Sequence, residues 1–132
     1  MKVEFNIGLD IAGARNSLHD CTLRARQAIE IIRATGIRYR VERISSQYEG
    51  PDGTIHLEQT LVVELSVYEA ARIASIRSLA YEIAVALSQD CVAVFWPATE
   101  RGELIGPNAV KWGDFNINFF KTFAEVSLPR VA

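Results

Sequence analysis

The stretch IHLEQTLVVELSVYE (residues 55–69) decides how the rest of the chain is read. Its apolar residues alternate. Ile55, Leu57, Leu61, Val63, Leu65 and Val67 share one face, and His56, Glu58, Thr60 and Glu64 share the other. A period of two is that of an extended strand with one buried face, because successive side chains leave a strand on opposite sides. The stretch ends in Ser66-Val67-Tyr68-Glu69, which has the form of a capping box: serine and glutamate satisfy the free amides of a helix start. It therefore predicts a helix continuing to about Gln89, with Ile73, Ile76, Ala80, Ile83 and Leu87 as its apolar stripe.

Upstream, Glu49-Gly50-Pro51-Asp52-Gly53 is a strong turn signal. Before it, Ile37, Tyr39 and Val41 alternate with Arg38, Arg40 and Glu42, which predicts a strand over 37–45 and a hairpin with 55–67. Further back, a helix is expected from about Ser17 to Thr35. Ser17 caps it, Asp20 adds negative charge to the first turn, and Gly36 ends it in a left-handed conformation. Leu18, Cys21, Ala25, Ala28, Ile29 and Ile32 recur on it at helical spacing. The chain opens with another strand, residues 3–11, in which Val3, Phe5, Ile7, Leu9 and Ile11 oppose Glu4, Asn6 and Asp10. Downstream of the second helix, VAVFW (residues 92–96) reads as a short buried strand closed by Pro97.

The order is strand, helix, strand, strand, helix, strand. With right-handed crossovers, the fold class that follows is α+β, a ferredoxin-like βαββαβ sandwich: a four-stranded antiparallel sheet with two helices on one face, spanning residues 1–96. The other sheet face is then open, lined by Glu4, Asn6, Arg38, Arg40, His56, Glu58, Thr60 and Glu64, and is either solvated or used. Residues 97–132 form an extension. Its first part, PATERGELIGPN, reads as loop. Its second part, KWGDFNINFFKTF, carries Trp112, Phe115, Phe119, Phe120 and Phe123, a density of aromatics that must pack on the domain or on a neighbouring subunit.

Composition sets limits. A chain of 132 residues, 49% hydrophobic, has the size and apolar content of one domain with its own core. A net charge of −2 supplies no basic field for nucleic acid or an anionic membrane. The opening residues lack the pattern of a signal peptide, and no apolar run approaches the length of a membrane span. Two cysteines, Cys21 and Cys91, fit a reducing compartment. A cytoplasmic protein is expected.

Few motifs carry chemistry. GLDIAG (residues 8–13) sits between a strand and a helix like a phosphate loop, but Ala14 and Arg15 follow where lysine and serine or threonine would be needed. Cys21 lies on an apolar stripe, where cysteine acts as a small hydrophobe. Two histidines without ligand spacing make no zinc site. The third-position strand lacks the stacking aromatics of an RNA-binding sheet. His56 with Glu58 or Glu64 is the one acid–base pairing in view, and it defines the reading of a small enzyme. Arginine outnumbers lysine eleven to three, and seven arginines fall between residues 15 and 43 with only Asp20, Glu30 and Glu42 for company. Guanidinium forks match phosphate and carboxylate geometry. Arg15 beside the first helix start, Arg24 and Arg26 on that helix, and Arg38 and Arg40 on one strand face are thus candidate anion ligands, with Trp112 and Phe115 to stack a base.

FNIGLDI (residues 5–11), YEGPDGTIHLEQTLVVEL (residues 48–65) and LAYEIAVALSQDCVAVF (residues 79–95) resemble a group of small phage and bacterial βαββαβ proteins that includes the anti-Thoeris sponge proteins. The resemblance implies an oligomer that sequesters a cyclic ADP-ribose-type signal without cleaving it. Together with the arginines, it sets the leading expectation: a non-enzymatic, homo-oligomeric protein of phage type that binds a small anionic ligand such as a cyclic nucleotide, with no metal and no cofactor. The second expectation is a protein-binding module, such as a phage inhibitor of a host defence protein, with the aromatic tail as its hot spot.

Overall fold

A computed structural model describes residues 1–11, 16–49, 53–68, 72–97 and 101–110. The elements are β1 (Lys2–Gly8), α1 (Leu18–Arg33), β2 (Arg38–Glu49), β3 (Ile55–Ser66), α2 (Ile73–Ala86), β4 (Val92–Trp96) and β5 (Arg101–Ile105). They form one antiparallel sheet in the order β2-β3-β1-β4-β5.

The βαββαβ order is as expected, but the sheet has five strands rather than four. RGELI, expected as loop, pairs antiparallel with β4, from Val92 opposite Ile105 to Trp96 opposite Arg101. Tertiary contacts hold it there. Glu103 accepts from Trp96 Nε1 at 2.8 Å and pairs with Arg77 of α2 at 3.1 Å, and the Arg77 guanidinium lies 5.3 Å from the Trp96 ring centroid. A five-residue strand with one alternation is too short to stand out by its own period.

The start of α2 is also corrected. Ser66 is the last residue of β3, opposite Lys2 and Arg38, so its backbone is committed to the sheet and cannot cap. The helix begins at Ile73 after Arg72, with no side-chain cap; Glu69, the other half of the expected box, lies outside the described residues. At α1 the expectation is met. The Ser17 hydroxyl accepts from the Asp20 amide at 3.1 Å, and Gly36 takes φ +74° after the last turn.

Both helices cover the same sheet face. Val3, Phe5 and Ile7 of β1, Leu61, Val63 and Leu65 of β3, and Val92 and Val94 of β4 pack with Cys21, Ala28 and Ile32 of α1 and Ile76, Ala80 and Ile83 of α2 in one core. Burial of this face drives the fold, at roughly 25 cal/mol per Å² of apolar surface removed from water. No helix among the described residues is long and apolar enough to cross a membrane.

Candidate functional site

The strand register lays out the second sheet face row by row. One row reads Arg40, Glu64, Glu4, Phe95 and Gly102 across β2, β3, β1, β4 and β5. The next reads Glu42, Val62, Asn6, Ala93 and Leu104. The third begins with Ile44, Thr60 and Gly8, and continuing the register brings Cys91 beside Gly8. Beyond it, Glu58 follows opposite Ser46 on β3, with Asp10 just past the end of β1.

This face was expected to be open. At its centre it is not. Asn6 is 4% exposed and Thr60 is fully buried, with Ile44 and Ala93 buried beside them. Polar groups removed from water need partners. The Asn6 amide nitrogen donates to Glu4 at 3.0 Å, yet its buried Oδ1 has no partner among the described residues. An orphaned acceptor at the centre of a sheet face is a costly feature that packing alone does not call for.

Glu58 lies further along the same face, where β1 carries Gly8. Its carboxyl reaches over the central strand and lies against Gly8, where a Cβ would stand 3.0 Å from Oε1 and 3.1 Å from Oε2. Burial, with the nearby Asp10 carboxylate adding to it, pushes the Glu58 carboxyl up to about 8. Glu4 is raised too, chiefly by burial, against the pull of the Asn6 hydrogen bond. Burial, with Asp90 and Glu58 nearby, pushes the Cys91 thiol up to about 12, so it is no nucleophile at neutral pH. Gly106 packs directly on Asp90 and Cys91 and leaves no room there for a side chain. On the covered face, Cys21 is buried against Asp10, its Sγ 3.2 Å from Oδ1, and it is likewise raised by burial and by that contact. The centre of the second face thus offers acceptors and acids: Glu4, Asn6 Oδ1, Glu58 and Asp10.

Among the described residues, Arg24, Arg26, Arg38 and Arg40 are not brought together at one place. Arg24 reaches from α1 to the Leu9 carbonyl at 2.6 Å and to Asn16 Oδ1 at 2.9 Å, tying the helix to the end of β1. Arg40 is paired with Glu64 at 2.9 Å, which also holds Lys2 at 3.1 Å. That Lys2 bond is the first cause of the Glu64 carboxyl lying below its usual range. Arg38 lies at the far end of the same face, within 3.5 Å of the Tyr68 hydroxyl, and Arg26 is exposed on α1. Ser66, opposite Arg38, and Gln59, bonded to the Leu9 whose carbonyl holds Arg24, are seven residues of strand apart, roughly 23 Å. Arg15, Trp112 and Phe115 lie outside the described residues, as does the side chain of His56. Glu58 was in view in the sequence as a lining residue of the second face and as a partner for His56. Its contact with Gly8 was not, because it joins residues fifty positions apart.

No protein-family model and no curated protein matches this chain. Among solved structures, a phage SAM lyase in its apo state is similar over 70% of this chain and 75% of its own, with a TM-score of 0.53 and 15% identity. A phage SAM lyase in complex with S-methyl-5'-thioadenosine matches over 70% of this chain and 76% of its own, at a TM-score of 0.47 and 13% identity. At such identity the likeness is one of fold. It nevertheless corrects the leading expectation: the protein whose fold is shared is a lyase, not a sponge protein. The reading of a non-enzymatic sequestering protein is therefore withdrawn.

Proposed function

We propose that this chain is an enzyme, a lyase acting on a small sulfonium nucleoside of the S-adenosylmethionine type, with its site at the centre of the second sheet face and Glu58 as proton acceptor. The observation that carries the reading is the Glu58 carboxyl lying over Gly8, desolvated, pushed up to about 8 and close to the Asp10 carboxylate. Such a lining complements a cation, not an anion. A carboxyl that binds its proton near neutral pH is a far stronger base than an exposed glutamate, and it is poised for general acid–base work. The fold shared with a phage SAM lyase supports the class of reaction.

The chemistry balances without a further reactant. A sulfonium is a good leaving group because sulfur takes the electron pair of the breaking carbon–sulfur bond and departs as a neutral thioether. The carbon fragment compensates by losing a proton from the neighbouring carbon, and its C–H electrons become the new carbon–carbon double bond. Glu58, ionised, accepts that proton. Asn6 Oδ1 supplies a fixed dipole toward the positively charged substrate, at no cost of reorganisation during the reaction.

The test is direct. Purified protein incubated with S-adenosylmethionine should release a thioether detectable by liquid chromatography and mass spectrometry. The rate should rise with pH toward and through about 8 as the free carboxyl ionises. Absence of any thioether at high protein concentration, across pH 6–9, would sink the reading.

A further inference from the structure

We propose that Gly8 is a positioning residue for Glu58: its missing side chain is the slot in which the Glu58 carboxyl lies. The inference rests on the site described under the proposed function, but not on the reaction assigned to it.

A glycine inside a strand usually answers either to a backbone conformation that other residues avoid or to a close approach. The first reason does not hold. Among the described residues the glycines with positive φ are Gly36 and Gly53, and Gly8 pairs in regular register with Thr60. The second does. A Cβ at Gly8 would meet Glu58 Oε1 at 3.0 Å, Oε2 at 3.1 Å and Cδ at 3.3 Å, so its three nearest neighbours would be atoms of one carboxyl group. Along the same face of β1, Glu4 and Asn6 carry side chains, and at Gly8 the neighbouring strand's carboxyl takes the vacant place.

The consequence is electrostatic. Laid over the central strand, the carboxyl lies near Asp10 at the end of β1 and Cys91 at the approach to β4. On its own strand Thr60 is uncharged, as is Ile44 opposite it on β2, the side chain of His56 lies outside the described residues, and just past β5 Gly106 packs on Asp90 and Cys91. On α1 the nearest cation, Arg24, is turned to the Leu9 carbonyl. Among the described residues the causes acting on this carboxyl, burial and Asp10, both oppose the ionised form, so the pose keeps the proton on Glu58.

The experiment follows the Glu58 carboxyl by carbon-13 NMR through a pH titration, assigned with Glu58→Gln, in the unaltered chain and in Gly8→Ala. A methyl group should lift the carboxyl out of its slot by a few tenths of an ångström or more and let water reach it. The titration midpoint should fall by at least about one unit, a tenfold loss of proton affinity, while the amide spectrum stays that of the folded chain. A midpoint within about 0.2 unit of the unaltered chain's would overturn the proposal. Should Gly8→Ala not fold, the double variant Gly8→Ala/Glu58→Asp decides. The shorter acid leaves room for the methyl, so folding returns if the carboxyl is what Gly8 accommodates, and stays lost if the backbone needs glycine. Neither readout uses substrate. A chain that shows the shift but cleaves no sulfonium therefore retains this inference and loses only the lyase reading.

Discussion

The two faces of the sheet are built on opposite rules. On the face covered by α1 and α2, every central residue is apolar and fully buried: Val3, Phe5, Ile7, Val63, Leu65 and Val94. On the other, the same strands bury Asn6 with an oxygen unpartnered among the described residues and hold Glu58 in a setting that opposes its ionisation. The first face lowers the free energy of the folded chain. The second raises it, and such local cost is characteristic of sites where chemistry is prepared. The contrast teaches where stability and function are kept apart in this molecule: on opposite sides of a single β-sheet, one side chain apart in sequence.

That contrast can be broken by substitution. Glu58→Gln should reduce sulfonium cleavage by about 10²–10⁴-fold, the usual share of a general base, with the fold intact by circular dichroism. Retained turnover would move the chemistry elsewhere. Phe5→Ala, on the covered face, should cost about 3–5 kcal/mol in denaturant unfolding, because a fully buried ring leaves a cavity. A loss below 1 kcal/mol would show that the core is not where burial places it. Asn6→Leu has the opposite sign. It removes an orphaned acceptor, so stability should rise or stay level within about 1 kcal/mol, while cleavage falls. A strongly destabilising Asn6→Leu would mean that its amide contributes to the fold and not to a site.

A pH series sharpens the comparison further. The folded chain holds the Glu58 proton up to about 8, whereas an unfolded glutamate releases it near its ordinary value of 4.5. Between those values the native state binds more protons than the unfolded one, so stability should decline as pH rises. In Glu58→Gln that decline should flatten, which thermal unfolding at pH 5, 6.5 and 8 would reveal. The smallest effect is expected at the sheet's edge: Arg40→Ala removes an exposed pair with Glu64 and should cost about 0–1 kcal/mol, less at high salt.

Much of the fold was legible because local rules sufficed. Ser17 capping α1, Gly36 ending it, and the alternation in β1, β2 and β3 each act over a few residues. Where a residue's role depended on distant partners, the reading failed. Ser66 looked like a cap but is held in the sheet by Lys2 and Arg38. RGELI looked like loop but is drawn into the sheet by β4, Trp96 and Arg77. The arginines looked like a cluster because they are close in sequence, yet the topology sends Arg24 to the end of β1 and Arg40 to the opposite face beside Glu64.

By itself, then, the sequence determined an α+β chain with one apolar sheet face and two helices to cover it, since periodicity is a local property that survives without coordinates. Only the tertiary structure decided what the second face is. Burial, an orphaned oxygen at Asn6 and a carboxyl resting on Gly8 all arise from atoms that meet across strands. Desolvation, which turns an ordinary glutamate into a base, depends on everything around a group in space and on little beside it in the chain.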